Sequence, residues 1–264
     1  MKLGFIGCGN MASAIIKGIL KNEICKKEDI IGSNPTEEEC SSSRERLGIR
    51  TTQENREVVR NAEVVFLSVK PQFYAEVIRE VREEIRPEQV VITIAPGKTI
   101  EWVTEQFGKP VKLVRTMPNT PALVGEGMTG MCANERITEE ELQMVKKLLE
   151  SFGEVEIVPE RLLDVVVSVS GSSPAYIFLL IEAMADGAVA DGMPRKQAYR
   201  FASQAVLGSA KMVLETGMHP GELKDMVCSP GGTTMEAVRV LEQHGFRSAV
   251  IEAMKACVNM SRNM

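Results

Sequence analysis

A glycine-rich turn begins five residues into the chain and constrains the fold more than any other feature. Residues 5–12 follow a short apolar run and precede a stretch in which apolar residues recur at helical spacing. Gly7 allows a tight turn between strand and helix, Gly9 lets the backbone approach a phosphate, and Ala12 lets the helix pack closely on the strand. The first N–H groups of the helix favour an anion. Although glycine pairs also form turns that bind nothing, this context predicts a dinucleotide site.

Composition excludes several classes of protein. The 264 residues carry a formal net charge of −5, which argues against a nucleic-acid-binding surface. Six scattered cysteines without a C-x-x-C pair, and only two histidines, predict reduced thiols with no metal site and no disulfide framework. The chain enters a strand without a signal peptide, so we expect a cytoplasmic protein. The apolar residues 175–190 include Glu182 and Asp186, which favours a buried or interface helix over a membrane span.

The first part of the chain alternates strands and helices, which predicts an α/β, Rossmann-like, doubly wound parallel sheet. We predict strands at residues 2–6, 29–33, 63–68, 89–95, 112–116, 128–132 and 154–158. We predict helices between them at residues 11–20, 36–47, 74–85, 99–107 and 138–151, the last opened by a capping box of Thr138 and Glu141.

Only helical patterns follow Pro159. They cover residues 160–168, 172–191, 194–216, 219–227, 233–243 and 246–262. We therefore divide the chain into a dinucleotide-binding domain, residues 1–159, and an all-α domain, residues 160–264. Helix 172–191 is too apolar for one small bundle to cover, so we expect the second domain to form a homodimer.

Polar residues follow the carboxyl ends of the predicted strands, where parallel sheets bind their ligands. The second strand ends in Ser33 and Asn34, not in the acidic residue that usually binds the ribose of NAD, and Arg44 lies on the next helix. This neutral end favours NADPH over NADH, while ordinary turn and N-cap chemistry would use the same residues. Lys70, Pro96 and Asn119 follow the next three strands.

Two polar clusters precede helices in the C-terminal part, at residues 170–174 and 228–234. Hydroxyl groups and free N–H groups at the start of a helix can bind a carboxylate. A plain linker between helices would need only one Ser or Thr and one Gly, so the second cluster favours a substrate site.

These motifs together resemble the pyrroline-5-carboxylate reductase family. The matching segments run in order from the glycine turn through residues 69–71, 117–121 and 170–176 to residues 219–234, and the last block is highly specific. The resemblance implies an oxidoreductase of proline biosynthesis, in which hydride passes from NADPH or NADH to the imine carbon of 1-pyrroline-5-carboxylate and gives L-proline. It also implies a homodimer built by the helical domain, with dimers assembling into larger rings such as a decamer.

The family's functional residues carry over to matching positions. Thr234 is implied as the catalytic residue, a hydrogen-bond partner of the imine nitrogen. The positions implied to bind the substrate are Val227, Ser229, Gly232, Thr233 and Thr234. The positions expected to bind the cofactor are Ile6, Gly7, Cys8, Gly9, Asn10, Met11, Ser33, Asn34, Asn55, Val69, Lys70, Pro71, Pro96 and Asn119. A protonated imine is already electrophilic, so positioning of the hydride donor and acceptor can suffice for catalysis.

Two other functions compete with this one. A β-hydroxyacid dehydrogenase-like enzyme also combines Rossmann and helical domains, but it uses a lysine in a glycine-flanked helix segment, and Lys196, Lys211 and Lys224 do not lie in one. A non-catalytic nicotinamide-nucleotide sensor would bind cofactor without turnover, and it leaves the 228–234 cluster unexplained.

Overall fold

We describe a computed structural model of the chain, in which residues 1–263 are described. Eight strands form one sheet in the order β3-β2-β1-β4-β5-β6-β7-β8. The strands are β1 Leu3–Ile6, β2 Ile30–Ser33, β3 Arg50–Thr52, β4 Val64–Leu67, β5 Val90–Thr93, β6 Lys112–Met117, β7 Gly127–Ala133 and β8 Gly153–Ile157. Neighbouring strands are parallel except for β6 and β7, which are antiparallel. The predicted α/β doubly wound sheet is confirmed.

Helices connect the strands and then continue alone. Those of the sheet region are α1 Asn10–Lys21, α2 Glu37–Leu47, α3 Asn55–Asn61, α4 Tyr74–Val81, α5 Ile100–Phe107 and α6 Glu139–Glu150. Those that follow are α7 Leu163–Val166, α8 Ser173–Ala190, α9 Arg195–Thr216, α10 Pro220–Val227, α11 Thr233–Gln243 and α12 Phe246–Arg262. The predicted all-α C-terminal region is confirmed.

Local signals explain where several helices begin and end. The Thr36 and Thr99 hydroxyls cap α2 and α5, and the predicted capping box of Thr138 and Glu141 opens α6. Gly48 ends α2 with φ +69°, a left-handed conformation that glycine adopts without strain.

The core lies on both faces of the sheet. Every residue of β1, β2, β4 and β5 is buried, as expected for parallel strands covered by helices on both sides. Phe5 and Phe66 are register partners on β1 and β4, and their rings stack with centroids 4.5 Å apart. Phe5 belongs to one apolar layer and Ile6 to the other, because successive side chains of a strand point to opposite faces.

The structure differs from the sequence-based prediction at four places. Strand β3 and helix α3 were not predicted, and α4 ends at Val81 rather than at residue 85. The helix predicted at residues 160–168 is instead a 3₁₀ turn, the short α7 and a π-helical segment at Val167–Gly171. π-Helical turns are rare and are found mostly as single turns within α-helices.

The chain divides into two compact units by its internal contacts. The first contains Met1–Ser172 and the last residues from Cys257 onward, and the second contains Ser173–Ala256. Within the first unit, the Cys257 thiol donates to the Ser172 hydroxyl at 3.2 Å, and Ser261 donates to Asp164 at 2.8 Å. The domain division at residues 159 and 160 stays a prediction.

One helical stretch, Glu160–Ala190, is long and apolar enough to cross a membrane by length and composition alone. Core helices of proteins outside membranes pass the same test, so this stretch is weak support for a membrane span. The expected absence of a membrane partner stays a prediction.

Candidate functional site

The glycine turn follows β1 at the carboxyl edge of the sheet. Gly7 has φ +92°, and its N–H donates to the Ser33 carbonyl at 3.0 Å, which joins the turn to the end of β2. A Cβ added at Gly7 would lie 2.9 Å from Cγ1 of Val69 and 3.0 Å from the Ser68 carbonyl oxygen. Both the conformation and the space therefore require glycine at this position.

Gly9, unlike Gly7, has open space around its Cα. It is the N-cap residue of α1, no side chain caps the helix, and its first turn carries no acidic residue. A Cβ added at Gly9 would meet nothing within 4 Å, so no packing requirement explains a glycine there. The turn instead leaves open backbone and uncapped N–H groups at the positive end of a helix, which suits a phosphate.

A cavity of about 510 Å³ adjoins this turn. It lies where β1, β2 and β4 end, the point at which strand order reverses and doubly wound sheets bind their ligands. The predicted cofactor residues that line it are Gly7, Cys8, Gly9, Ser33, Asn34, Asn55, Val69 and Lys70. The other predicted cofactor residues, which are outside this lining, are Ile6, Asn10, Met11, Pro71, Pro96 and Asn119.

Asn34 ties the glycine turn to α2. Its Oδ1 accepts the Cys8 N–H at 3.1 Å, and its Nδ2 donates to the Ser43 hydroxyl at 3.0 Å and to the Glu39 carbonyl at 3.3 Å. The amide is therefore occupied at both ends by protein groups. Asn34 positions the turn at the end of β2.

Ser33 and Asn55 belong to a second chain of hydrogen bonds along the cavity. The Ser33 hydroxyl donates to Oδ1 of Asn55 at 2.7 Å, and Nδ2 of Asn55 donates to Glu80 at 2.7 Å. This chain connects β2 to α3 and α4. It fixes the orientation of the Asn55 amide, because each end has one partner.

Cys8 is buried inside the turn. Burial, reinforced by the nearby Cys40, raises the pKa of the Cys8 thiol to about 12, although the Arg46 guanidinium opposes the shift. Arg46 donates to the Cys8 carbonyl at 3.1 Å. The thiol is neutral at physiological pH and acts as a small filler of the turn.

Asn119 lies in a different place from the cavity. Its side chain is buried, its Oδ1 accepts the Met128 N–H at 2.8 Å, and its Nδ2 donates to the Ser170 carbonyl at 3.0 Å. The residue thus fastens the loop after β6 to β7 and to the π-helical segment. A cofactor contact for Asn119 stays a prediction.

Sequence reasoning missed several residues of the cavity. These are Pro35, Glu39, Gln53, Ser68, Phe73, Glu76, Val77 and Glu80. Three of them lie on α4: Glu80 is four residues after Glu76 and three after Val77, the spacing of one helix face, and this signal could have identified them.

The second polar cluster forms the turn between α10 and α11. Gly231 has φ +70°, and the Gly232 N–H donates to the Ser229 carbonyl at 3.0 Å. Gly232 is the N-cap of α11 and no side chain caps that helix. The loop therefore leaves hydroxyls and the N–H groups of Thr233 and Thr234 at a helix start, which suits a carboxylate. None of the side-chain hydroxyls of this loop is fully buried: Ser229 and Thr233 are exposed, and Thr234 is half-buried.

The fold and the cavity define a protein of the Rossmann-type dinucleotide-binding class with a helical C-terminal region. Comparison with known proteins refines this class. Residues 160–264 match the family model described as pyrroline-5-carboxylate reductase dimerisation. Residues 2–97 match one described as NADP oxidoreductase, coenzyme F420-dependent. The pyrroline-5-carboxylate reductase of Escherichia coli (strain K12) is 48% identical over 263 residues, which cover 100% of this chain and 98% of that protein. The chain belongs to the pyrroline-5-carboxylate reductase family.

Solved structures agree with this assignment. A crystal structure of Plasmodium falciparum pyrroline carboxylate reductase with NADP bound has a TM-score of 0.92 and 30% identity, over 100% of this chain and 97% of the other. The Coxiella burnetii pyrroline-5-carboxylate reductase has a TM-score of 0.90 and 36% identity, over 99% and 97% of the two chains.

Proposed function

We propose that this chain is an NAD(P)H-dependent reductase of the C=N bond in 1-pyrroline-5-carboxylate, the last step of proline biosynthesis. The observation that carries the proposal is the 48% identity that extends over the whole chain to a reductase of that name. The glycine turn and the polar cluster at residues 228–234, which we assign to cofactor and substrate, both fall inside this alignment.

The glycine turn supports the assignment of the cofactor. The open backbone at Gly9 and the uncapped start of α1 fit a pyrophosphate, and the cavity continues from there past Ser33 on one side and Lys70 on the other. When bound, the reduced nicotinamide supplies a hydride to the imine carbon. In our proposal Ile6, Asn10, Met11, Pro71, Pro96 and Asn119 complete the binding residues.

The turn before α11 supports the assignment of the substrate. We assign the substrate carboxylate to the N–H groups and hydroxyls of residues 229–234, with Val227 beside them. Thr234 is half-buried, whereas Thr233 is exposed, so Thr234 is better placed to hold a fixed hydrogen bond. In this role the Thr234 hydroxyl orients the imine nitrogen and is not a nucleophile.

Catalysis then rests on position rather than on a strong acid or base. The protonated imine carries the positive charge that draws the hydride, and fixing the donor and acceptor removes much of the entropic barrier. The described residues contain no group of three or more His, Cys, Asp or Glu side chains that could hold a metal ion.

Initial rates with 1-pyrroline-5-carboxylate and each reduced nicotinamide test the proposal. Thr234→Ala should lower kcat at least tenfold and leave the dissociation constant of the cofactor unchanged, since one hydrogen bond to the reacting centre is lost. Thr216→Ala, at the exposed end of α9, serves as the control. Unchanged kinetics in the Thr234 variant would remove that residue from the mechanism, while no turnover in the wild type would remove the reaction.

The competing functions have weaker support. The likeness to a Mycobacterium tuberculosis 3-hydroxyisobutyrate dehydrogenase has 14% identity, which concerns the fold alone. Oxidation of β-hydroxyacids by this chain would favour that alternative. Cofactor binding without any turnover would favour the sensor.

The chain forms a homo-oligomer, as the match to a dimerisation family indicates. Large apolar side chains on the second unit remain exposed in the single chain, which supports an interface there. The most exposed of them are Phe178, Leu179, Phe201, Leu214, Met226 and Val227. A ring of five dimers is our proposal for the assembly, and light scattering coupled to size-exclusion chromatography distinguishes a dimer from a decamer. A cytoplasmic location also stays a prediction.

A further inference from the structure

We infer that the cavity at the end of β2 discriminates against the 2′-phosphate of NADPH, and that Glu39 is a determinant of this selectivity. The inference rests on the proposed cofactor site. It concerns which of the two reduced nicotinamides binds more tightly. The neutral residues Ser33 and Asn34, considered alone, favour NADPH, whereas the surrounding side chains favour NADH.

The polar side chains at the end of β2 already have partners in the protein. The Asn34 amide is used by Cys8, Ser43 and the Glu39 carbonyl. The Ser33 hydroxyl donates to Asn55. The Thr36 hydroxyl caps α2 by accepting the Glu39 N–H at 3.2 Å. A phosphate that took any of these groups would have to break a bond that holds the turn or the helix.

The two arginines near this edge are also engaged. Arg44 lies 3.4 Å from Glu37 in an ion pair on the surface of α2, and it is not part of the described lining of the cavity. Arg46 donates to the Cys8 carbonyl at 3.1 Å and so faces the glycine turn. NADP-binding sites of this fold commonly place an arginine at the 2′-phosphate, whereas NAD-binding sites place an acidic residue at the ribose hydroxyls.

The charges that do line the cavity are mostly negative. Among the described lining residues the carboxylates are Glu39, Glu76 and Glu80, and the cation is Lys70. Lys70 follows β4, while Glu80 reaches the β2 side through its bond with Asn55. Glu39 lies on the first turn of α2, directly beyond Ser33 and Asn34. The 2′-phosphate carries nearly two negative charges at pH 7 and would be placed against this acidic side.

The expected size of the effect is modest because Glu39 is exposed. Interaction between exposed charges is strongly weakened by water, so we expect discrimination of roughly threefold to tenfold in the dissociation constants. Salt should reduce it, since screening acts on exposed charges.

Calorimetric titration of the full-length protein with NADH and with NADPH, without substrate, tests the inference. The wild type should bind NADH roughly threefold to tenfold more tightly at 50 mM salt, and the ratio should approach one at 0.5 M salt. Glu39→Gln should tighten NADPH binding about threefold and leave NADH binding unchanged. The substitution keeps the backbone groups of residue 39 that bind Asn34 and Thr36.

Two control variants keep the test specific. Glu38→Gln removes a neighbouring exposed carboxylate outside the cavity lining and should change neither constant by more than the error of the measurement. Arg44→Gln should not weaken NADPH binding if Arg44 stays with Glu37. Tighter binding of NADPH by the wild type, an unchanged ratio in Glu39→Gln, or weaker NADPH binding in Arg44→Gln would overturn the inference.

The outcomes also separate this inference from the proposed function. If both nicotinamides bind equally and the reduction proceeds, only the selectivity is wrong. If neither binds, the cofactor site itself is wrong and the inference falls with it.

Discussion

Ser261, near the end of α12, donates a hydrogen bond of 2.8 Å to Asp164 across 97 residues of sequence. Asp164 also lies 3.6 Å from the guanidinium of Arg115, which pairs with Glu160 at 2.9 Å. The Arg115 side chain is only 3% exposed. The Glu160 carboxylate additionally accepts the Ile100 N–H at 2.7 Å. The buried Arg115 on β6 thus binds two carboxylates of the segment after β8, and one of them, Asp164, binds the end of α12.

Removing this cation should be costly. We expect Arg115→Met to lower the free energy of unfolding by about 3 kcal/mol, because two carboxylates lose the partner that compensates their desolvation. Urea denaturation measures the change. Arg82→Met is the matched control, since its pair with Glu83 is on the surface, and it should change stability by less than about 0.5 kcal/mol. If Arg115→Met lowered the free energy of unfolding no more than Arg82→Met does, the Arg115 network would not contribute to stability.

The two glycines of the turn should respond differently to alanine. Gly7→Ala should lower the free energy of unfolding by about 2 kcal/mol, since φ +92° and the contact with Val69 both oppose a Cβ. Gly9→Ala should fold with a change below about 1 kcal/mol, because its φ of −69° suits alanine and the space is open. Its cofactor affinity should nevertheless fall at least tenfold, as measured by calorimetry. Wild-type affinity in Gly9→Ala would show that no phosphate approaches there.

Gly32 on β2 and Cys8 in the turn share one small volume. A Cβ added at Gly32 would lie 2.3 Å from the Cys8 sulfur, which is buried and has little room to move. Gly32→Ala should therefore destabilise the protein by about 1–3 kcal/mol. Adding Cys8→Ala should restore more than half of that loss. A double-mutant cycle by urea denaturation measures the coupling, and purely additive effects would contradict the shared volume.

The buried Cys8 thiol should be chemically inert and should make stability fall at alkaline pH. Its pKa is raised to about 12 in the folded chain, while an unfolded cysteine titrates near 8.5. Between these values the unfolded state loses a proton that the folded state keeps, so rising pH favours unfolding. Compared with Cys8→Ala, the wild type should lose up to about 1.4 kcal/mol more per pH unit between pH 9 and 11. Parallel pH profiles, or rapid modification of Cys8 by Ellman's reagent at pH 8, would contradict this.

Features decided by local chemistry were predictable from the sequence. The strand, turn and helix at residues 3–21, the capping box at Thr138 and the helix end at Gly48 each depend on a few neighbouring residues. Strand β3 was missed because its three residues, Arg50–Thr52, carry no apolar pattern. They form a strand because β2 offers an edge for pairing, from Ile31 opposite Arg50 onward.

The cavity was only partly predictable for a related reason. Residues at strand ends could be assigned because parallel strands bring their carboxyl ends to one edge. Asn119, in contrast, was expected at the ligand because it follows a predicted strand. Its side-chain amide instead bonds to Met128 and to Ser170, which is 51 residues away in sequence. The hydrogen-bond partner of a buried polar side chain depends on distances between residues far apart in sequence, and a local sequence pattern does not contain this information.

The contact between Ser172 and Cys257 has a topological consequence. The chain leaves the first unit after residue 172 and returns to it at residue 257, and the two points are within hydrogen-bond distance. The helical unit is thus a domain insertion within the first unit, and the two residues that flank it, Ser172 and Cys257, lie side by side. Excising residues 173–256 and joining the ends by a short glycine linker should leave a host that folds by itself, with its dinucleotide cavity intact and its oligomeric assembly lost.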